Sequence, residues 1–350
     1  MLSQAIYCEP FAIAIDLLRI ILIFKFMDKL HQPFSRRAAL MGLAAIGLAP
    51  RVWAGGAPLR IVATTGMIAD AARRIGGDAV EVQALMGAGV DPHSYRATRS
   101  DIVAMTRADL VLWHGLYLEA QLERFFEDLA RKRQVVAVAE DLPRALLHGH
   151  ADYPDRFDPH VWMDPSIWAL VVQNITQSLT QARPENAATF AANAAELAQE
   201  VGGLDRYCRS VLAQVPPAQR VLLTAHDAFG YFGKAYDFDV IGIQGISTES
   251  EAGLNRISAL VSVLVARNIR AVFVETSVSE RNIRALIEGA AAQGHQVVVG
   301  GALFSDAMGP EGTYEGTYIG MIDHNVTTIA RALGADISAA GFLGRLRAGS

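Results

Sequence analysis

The sequence predicts an α/β protein of two lobes, each a mainly parallel sheet flanked by helices, joined by a long rigid helix. Short β-rich runs alternate with helical patterns up to residue 165, the alternation returns after residue 217, and a stretch rich in Ala, Leu, Glu and Gln lies between. Alternating strands and helices favour parallel sheets covered by helices on both faces. We therefore expect a first lobe at 55–165, linking helices at 166–217 and a second lobe at 218–350.

Residues 1–54 are typical of an export segment and are not expected to join the fold. The pair Arg36-Arg37 precedes a small apolar run that ends in the cleavage pattern Val52-Trp53-Ala54. Such a sequence makes up a secretory signal, and the arginine pair resembles a twin-arginine signal. Met27 would start a signal of ordinary length, so we interpret 1–26 as an upstream extension, with a genuine N-terminal anchor as the alternative.

The cysteines bear on how the mature protein is held after export. Cys8 lies in the export segment, so Cys208 would be alone after cleavage and an intramolecular disulfide is excluded. Neither cysteine follows a lipoprotein-type cleavage run. We therefore expect the mature protein in the periplasm without a lipid anchor.

The first lobe contains four β-rich runs separated by helical patterns. The expected strands are Leu59–Ala63, Val80–Met86, Leu110–Trp113 and Val135–Ala139. The expected helices are Ile68–Ile75, Ser100–Thr106 and Leu118–Ala130.

Two helices are expected between the lobes. The first, Ser166–Ala182, is broken at Pro184, which is well placed in the first turn of the next. The second, Glu185–Val215, would be about 45 Å long, a stiff rod rather than a hinge. The pair Gly202-Gly203 would weaken its middle by about 1 kcal/mol each relative to alanine. Two shorter helices meeting at this pair are the alternative.

The second lobe repeats the alternation. Its expected strands are Val221–Thr224, Val240–Ile243, Ala271–Glu275 and Val297–Val299. Its expected helices are Ala228–Tyr236, Leu254–Arg267, Glu280–Gln293 and Gly316–Leu333.

Composition limits the classes of function and partner. The chain of 350 residues carries a net charge of −5 and has a pI near 6.0. Nucleic-acid-binding proteins usually carry a basic face, so this balance argues against a nucleic-acid partner. We expect a monomer.

Four distant positions form a ligand set for a divalent metal. Asp-Pro-His occurs twice, ending at His93 and His160; His226 ends an apolar run, and Asp306 follows the Val297–Val299 strand after a Gly-Gly loop. Imidazole and carboxylate suit divalent transition metals, and open α/β sheets bind ligands at the carboxyl ends of their strands. Each residue alone is more often structural, but together they predict a metal site in the cleft between the lobes.

Carboxylates beside these histidines are candidates for orienting the rings, because a ligating imidazole usually donates its other N–H to a carboxylate or carbonyl. Asp91, Asp158 and Asp227 are the neighbours in question. A turn or a helix cap is an equally good interpretation of each.

The remaining histidines are weaker candidates. His114 is expected to have a packing or turn role, and His148 and His150 to be solvated loop residues, although help in metal capture is left open for all three. His295 and His324 are expected at the surface.

A resemblance to a known family rests on five segments. They are Asp91-Pro92-His93-Ser94-Tyr95, Asp158 to Pro165, Thr224 to Tyr231, Gln244-Gly245-Ile246-Ser247-Thr248 and Gly300 to Asp306. In this order they resemble the zinc/manganese-binding solute-binding proteins of ABC importers, over nearly all of 58–335. The resemblance implies capture of Zn²⁺ or Mn²⁺ in the interlobe cleft and delivery to a membrane permease, with no catalytic role.

The choice of metal stays open at the level of sequence. Some members of the resembled family have glutamate where this chain has His226, and zinc-dedicated members often have a long His- and acid-rich loop where it has only His148-Gly149-His150. Zinc is favoured in raw affinity, because manganese lies lowest in the Irving–Williams order.

Two alternative functions use the same ligands. A metal-dependent hydrolase is disfavoured, because four protein ligands leave little room for the water that a catalytic metal keeps, and no Ser-His or Glu-x-x-His arrangement is found. A metal-stabilised surface adhesin is disfavoured by the missing lipid-attachment cysteine.

Export predicts a defined mature N-terminus. Cleavage after Ala54 should leave a chain that begins Gly55-Gly56-Ala57, which N-terminal sequencing of the periplasmic protein would read. A mature chain that retains Cys8, or a protein found only in the inner membrane, would contradict this prediction.

Overall fold

Residues 57–149 and 154–346 are described by a computed structural model of the chain. The export segment, including Cys8 and the arginine pair, and the loop residue His150 lie outside the described residues. The described residues fall within one compact unit, Ala57–Ser350. The limits of the lobes stay a prediction.

The first half of the chain builds one parallel sheet. Its strands are β1 (Leu59–Ala63), β2 (Val80–Ala84), β3 (Leu110–Trp113) and β4 (Gln134–Ala137), in the order β2-β1-β3-β4. Its helices are α1 (Gly66–Gly76), α2 (Arg99–Arg107) and α3 (Glu123–Ala130). Ile61 and Leu112 pack into one core cluster, and Val62 and Val111 into another. Neighbouring residues of one strand therefore pack into different clusters, because both faces of the sheet are covered.

Helix α3 begins five residues later than predicted, at Glu123 instead of Leu118. The chain first makes a turn in which Gly115, Leu116 and Tyr117 all have positive φ. The buried Glu119 carboxylate accepts the N–H groups of His114 and Gly115, which draws the backbone into this turn. The predicted first turn of the helix is therefore wrong.

Two long helices follow the first sheet. Helix α4 (Pro165–Ala182) is capped by Asp164, whose carboxylate accepts the N–H of Ser166. Helix α5 (Ala187–Leu212) has 26 residues, about 39 Å, and is continuous through Gly202-Gly203. The long helix is confirmed and the alternative of two shorter helices is wrong. Helix α5 packs along α1 and α4, and such packing stabilises a helix more than propensity does.

The second half builds two parallel strand pairs. Strands β5 (Val221–Thr224) and β6 (Asp239–Gly242) form one, and β7 (Ala271–Glu275) and β8 (Val298–Leu303) the other. The helices are α6 (Gly230–Tyr236), α7 (Leu254–Ala266), α8 (Arg281–Ala292) and α9 (Tyr318–Ala332). Leu223 and Val272 share a core cluster, which holds β5 beside β7. Among the helices of residues 57–149 and 154–346, none combines the length and hydrophobicity of a bilayer-spanning segment.

Strand β8 is longer than predicted. The predicted loop after Val297–Val299 is wrong, because Gly300-Gly301 lie inside the strand, opposite a register irregularity at Val272 and Phe273. Close packing requires glycine here, since a Cβ at Gly300 would lie 2.8 Å from the Phe273 ring. Asp306 therefore lies three residues beyond the end of the strand at Leu303.

Helix α9 is enclosed on both sides, by β8 and by α5. Every residue from Tyr318 to Thr327 is buried. The predicted surface position of His324 is wrong, and its Nε2 lies 2.9 Å from the carbonyl oxygen of Ala302. His295 is half-buried rather than exposed.

Replacing Gly202 by alanine should stabilise the fold. Within 4 Å, a Cβ there would meet only the Arg206 guanidinium, at 3.6 Å, and alanine is favoured over glycine in a helix interior by about 0.5–1 kcal/mol. Chemical denaturation should show the free energy of unfolding raised by about that amount. The matched variant Gly203→Ala should gain less, because its Cβ would lie 3.3 Å from Phe342. A loss of stability in Gly202→Ala would contradict the prediction.

Candidate metal centre

The four predicted ligands lie together where strands end. His93 follows β2, His160 precedes α4, His226 follows β5 and Asp306 follows β8. One nitrogen or oxygen atom from each lies within 4.8 Å of the others, and all four residues are buried. Residues up to 213 positions apart in the chain thus form a single cluster.

The spacing of the atoms fits a single small ion. The Nε2 atom of His160 lies 3.2 Å from Nε2 of His93 and 3.3 Å from Nε2 of His226. Oδ1 of Asp306 lies 3.3 Å from Nε2 of His160, and Oδ2 of Asp306 lies 3.3 Å from Nε2 of His226. In a tetrahedral site with bonds of about 2.0–2.1 Å, ligand atoms would be about 3.3–3.4 Å apart. The cluster can therefore accept one ion at its centre.

The ring of His160 is oriented by a carboxylate. Asp158 Oδ1 accepts from Nδ1 of His160 at 2.7 Å and from its backbone N–H at 3.0 Å. The intervening proline fixes φ and lacks a donor, which stiffens the turn. The Asp158 carboxylate thus turns Nε2 of His160 towards the other ligands.

The ring of His226 has a partner that the sequence reasoning missed. Glu275 Oε2 accepts from Nδ1 of His226 at 2.6 Å, and its Oε1 accepts the backbone N–H of His226 at 2.9 Å. Glu275 is the last residue of β7, the neighbour of β5. The available signal was a carboxylate that ends a fully buried apolar strand at the ligand-binding edge.

The neighbouring aspartates differ from one another in role. Asp158 is a ring partner. Asp91 instead accepts the backbone N–H of His93 at 2.9 Å, as expected for a residue that forms a turn. Within the described residues, no hydrogen bond joins Asp227 to the His226 ring. The interpretation of Asp227 as the ring partner of His226 is therefore wrong, because Glu275 from the strand beside β5 binds Nδ1 of that ring.

The orientation of the two rings creates a need for positive charge. With each Nδ1 hydrogen directed at a carboxylate, a neutral ring has a lone pair on Nε2. The Nε2 atoms of His160 and His226 would then face each other and the Asp306 carboxylate with no hydrogen between them. A cation at the centre, either a proton or a metal, removes this repulsion.

Without a metal, protons supply that charge. Burial lowers the pKa of His160, but Asp158 and Asp306 outweigh it and raise the pKa to about 9. Burial also lowers the pKa of His226, yet Asp306 and Glu275 raise that pKa well above its ordinary value. Burial raises the pKa of Asp306, but His226 and His160 hold that pKa well below its usual range. A metal that binds here must displace protons from the rings.

Asp306 also has unused capacity to bind. Among the described residues, His114 Nδ1 and Asp306 Oδ1 are the buried side-chain polar atoms that make no well-aligned hydrogen bond, although Asp306 Oδ1 lies 3.3 Å from Nε2 of His160. A buried carboxylate oxygen is costly to leave unpaired. A metal ion at the centre of the cluster would satisfy this oxygen.

The His160 loop is anchored by buried hydrogen bonds to residues far away in the chain. Nε2 of His114 lies 2.7 Å from the carbonyl oxygen of Pro159, so this buried ring has a packing role, as predicted. The Tyr231 hydroxyl, from the second half of the chain, donates to the carbonyl oxygen of Asp158 at 2.8 Å. These bonds limit how far Nε2 of His160 can move.

A further bond links two of the ligand loops directly. Trp162 Nε1 donates to the carbonyl oxygen of Ser305 at 2.8 Å, and both residues are buried. Trp162 lies two residues after His160 and Ser305 lies one before Asp306. This bond therefore fixes the distance between a ligand from each half.

His148 is outside the cluster. It is half-buried rather than solvated, because its ring stacks on Tyr231 with centroids 4.2 Å apart. His150 lies outside the described residues.

Comparison with known proteins gives a consistent result. The family model described as "ZnuA: Zinc-uptake complex component A periplasmic" matches residues 61–332. The chain is 47% identical over 275 residues to the manganese-binding lipoprotein MntA of Bacillus subtilis, covering 79% of this chain and 90% of that protein. It is 44% identical over 282 residues to the zinc-binding protein TroA of Treponema pallidum, covering 80% of this chain and 90% of that protein. The solved structure of TroA superposes with a TM-score of 0.77 at 43% identity, covering 79% of this chain and 99% of TroA.

The fold and the site define a binding protein with two α/β halves, a long helix between them, and a buried cluster suited to a metal ion. The chain belongs to the ZnuA family of periplasmic metal-uptake components. It is therefore a metal-binding substrate-binding protein of the ABC transporter class. The predicted resemblance, the two-lobed α/β fold and the non-enzymatic role are confirmed.

Replacing Glu275 by glutamine should weaken metal binding without removing a ligand. The amide keeps the shape of Glu275 but loses the charge that favours donation from Nδ1 of His226, and loss of such a partner costs about 10–100-fold in affinity. Calorimetric titration with Zn²⁺ measures this. Asp227→Asn is the matched control: it removes a carboxylate charge near the rings but no hydrogen bond to the His226 ring, so its loss of affinity should be smaller. Equal losses in both variants would contradict a specific role for Glu275.

Proposed function

We propose that this protein is a periplasmic receptor that captures one divalent transition-metal ion, Zn²⁺ or Mn²⁺, and delivers it to the membrane permease of an ABC importer. The proposed ligands are His93, His160, His226 and Asp306. The observation that carries the proposal is the convergence of imidazole nitrogens and a carboxylate at separations of 3.2–3.3 Å. Two of these rings already direct Nδ1 at buried carboxylates, which leaves Nε2 free for a metal.

Both metals are compatible with the donor set. MntA is named for manganese and TroA for zinc. Three nitrogens and one carboxylate suit tetrahedral zinc, which also lies above manganese in affinity. Each Asp306 oxygen lies 3.3 Å from a histidine nitrogen, so the carboxylate can offer both oxygens and a higher coordination number. We propose that the site binds both ions, and Zn²⁺ more tightly.

The setting of the receptor is part of the proposal. Export by the twin-arginine route and cleavage after Ala54 would deliver a monomer to the periplasm without a lipid anchor. Lobes at 55–165 and 218–350, joined by helices at 166–217, would form the cleft that closes on the metal. The partners would be the metal ion and the permease, and no nucleic acid.

Metal content and affinity test this function together. Protein purified from periplasm should contain about one Zn²⁺ or Mn²⁺ per chain, and chelator-treated protein should rebind one ion in calorimetry. His93→Ala and His226→Ala should each weaken binding by more than the roughly 10–100-fold expected for an outer partner. His148→Ala, which alters a nearby histidine outside the cluster, is the control and should bind as the wild type does. Wild-type affinity in both His93→Ala and His226→Ala would contradict this ligand set. Metal-dependent hydrolysis in the same preparation would favour the hydrolase alternative.

Binding should weaken steeply as the pH falls. In the metal-free site, carboxylates raise the pKa of His160 to about 9 and hold the pKa of His226 well above its ordinary value. Protons on both rings therefore compete with the metal, and lowering the pH strengthens that competition. Between about pH 7.5 and 5.5 the affinity should fall by more than the roughly 100-fold that competition by one proton allows.

Proton release gives the same prediction a second readout. Calorimetry in buffers of different ionisation enthalpy should show that more than one proton leaves per metal bound at neutral pH. A flat pH profile together with less than one proton released would contradict the ligand set.

A further inference from the structure

The ligands differ in their distance from solvent. His160 and His226 are 0% exposed, Asp306 is 2% and His93 is 4% exposed. Gly87 to Gly89 are exposed, Val90 and Asp91 are half-buried, and Pro92, directly before His93, is buried. His93 is thus the most exposed of the four residues, and its loop leads into exposed residues, so displacement of this loop would connect the cluster to solvent.

A single carboxylate organises the His93 loop. Asp91 Oδ1 accepts the backbone N–H of His93 at 2.9 Å, and Oδ2 accepts from the Ser94 hydroxyl at 2.9 Å. Oδ2 also accepts from the Thr248 hydroxyl at 2.6 Å, across 157 positions of sequence. The first two bonds shape the loop internally, and only the third reaches the other half of the chain.

The Thr248 side of this bond is braced. Thr248 ends the segment 244–248, which follows β6 and which the ligand cluster does not use. The buried Gln244 amide donates to the carbonyl oxygens of Thr248 and Ser250, at 3.4 Å and 3.0 Å. The Thr248 hydroxyl is thus presented from a supported turn.

Two hydrogen bonds between the halves that lie near the cluster differ from this one in burial. Trp162 to Ser305 and Tyr231 to Asp158 are buried, and the pair Asp91–Thr248 is only part-buried. Water can compete for a part-buried bond, so this pair can open while the buried bonds stay formed.

We propose that the Thr248 hydroxyl and the Asp91 carboxylate form a clasp that holds the His93 loop over the metal and sets how fast the metal leaves. The proposal rests on the proposed function, because it presumes metal in the cluster. Thr248 is a positioning residue: it reaches no ligand directly and acts on His93 through Asp91, whose other oxygen holds the His93 backbone.

The test is the rate of Zn²⁺ release from loaded full-length mature protein into excess chromogenic chelator, followed by stopped flow. Thr248→Val keeps the shape and removes only the hydroxyl, so release should accelerate by about tenfold, as loss of a hydrogen bond to a charged group implies. Thr248→Ser restores a hydroxyl and should return the rate close to wild type. If Thr248→Val misfolds, Asp91→Asn is the second variant: it keeps an oxygen for the His93 N–H, weakens the clasp and should also release faster.

Two controls separate the clasp from general effects. Ser94→Ala removes the other hydroxyl on the same carboxylate oxygen but no bond between the halves. Gln121→Ala removes the exposed bond from Gln121 to Glu249, 2.7 Å long, which joins the halves without touching the His93 loop. Gln121→Ala should release Zn²⁺ at the wild-type rate, and Ser94→Ala should accelerate release less than Thr248→Val does.

The possible outcomes are distinguishable. A wild-type release rate in Thr248→Val, or equal acceleration in Ser94→Ala or Gln121→Ala, overturns the clasp and leaves the proposed function intact. Wild-type protein that binds no Zn²⁺ in calorimetry overturns the proposed function itself.

Discussion

Two buried imidazole rings, each with Nδ1 tied to a carboxylate, are the constraint on which the rest of this structure depends. His160 is bound to Asp158 and His226 to Glu275, and the Asp306 carboxylate lies beside both rings. Burying this many ionisable groups is costly unless their charges are matched. A divalent cation between the Nε2 atoms would supply that match, and its binding would then stabilise the folded state.

The topology makes such a cluster possible. Every strand pair is parallel, so the carboxyl ends of neighbouring strands, and the loops that follow them, lie at a common edge. In the second half, His226 lies two residues beyond the end of β5 and Glu275 is the last residue of the neighbouring β7, so the ring and its partner meet without any long connection. Helix α5 packs along α1 from the first half of the chain and along α9 from the second half. A continuous helix in contact with both halves favours small loop movements over a wide hinge.

The enclosure of the site explains why it suits capture of an ion better than catalysis. All four cluster residues are buried, and two of them are anchored through Trp162 and Ser305. A catalytic metal needs an open position for water and substrate, whereas an ion needs only a route past one loop. The proposed route lies at the His93 loop, because His93 is the most exposed of the four residues, and metal exchange would then need loop opening and not unfolding.

Local pattern was enough to predict the alternation of strands and helices, the long helix and the placement of His93, His160, His226 and Asp306 in one cluster. Hydrophobic periodicity and the chemistry of single side chains are properties of short segments, which a sequence displays directly. The tertiary structure alone decided that Glu275, and not the adjacent Asp227, holds the His226 ring. It also decided that α3 starts at Glu123 and that Gly300-Gly301 continue a strand. Each of these outcomes depends on contacts between residues that are distant along the chain, and the spacing of residues within a segment carries no information about such contacts.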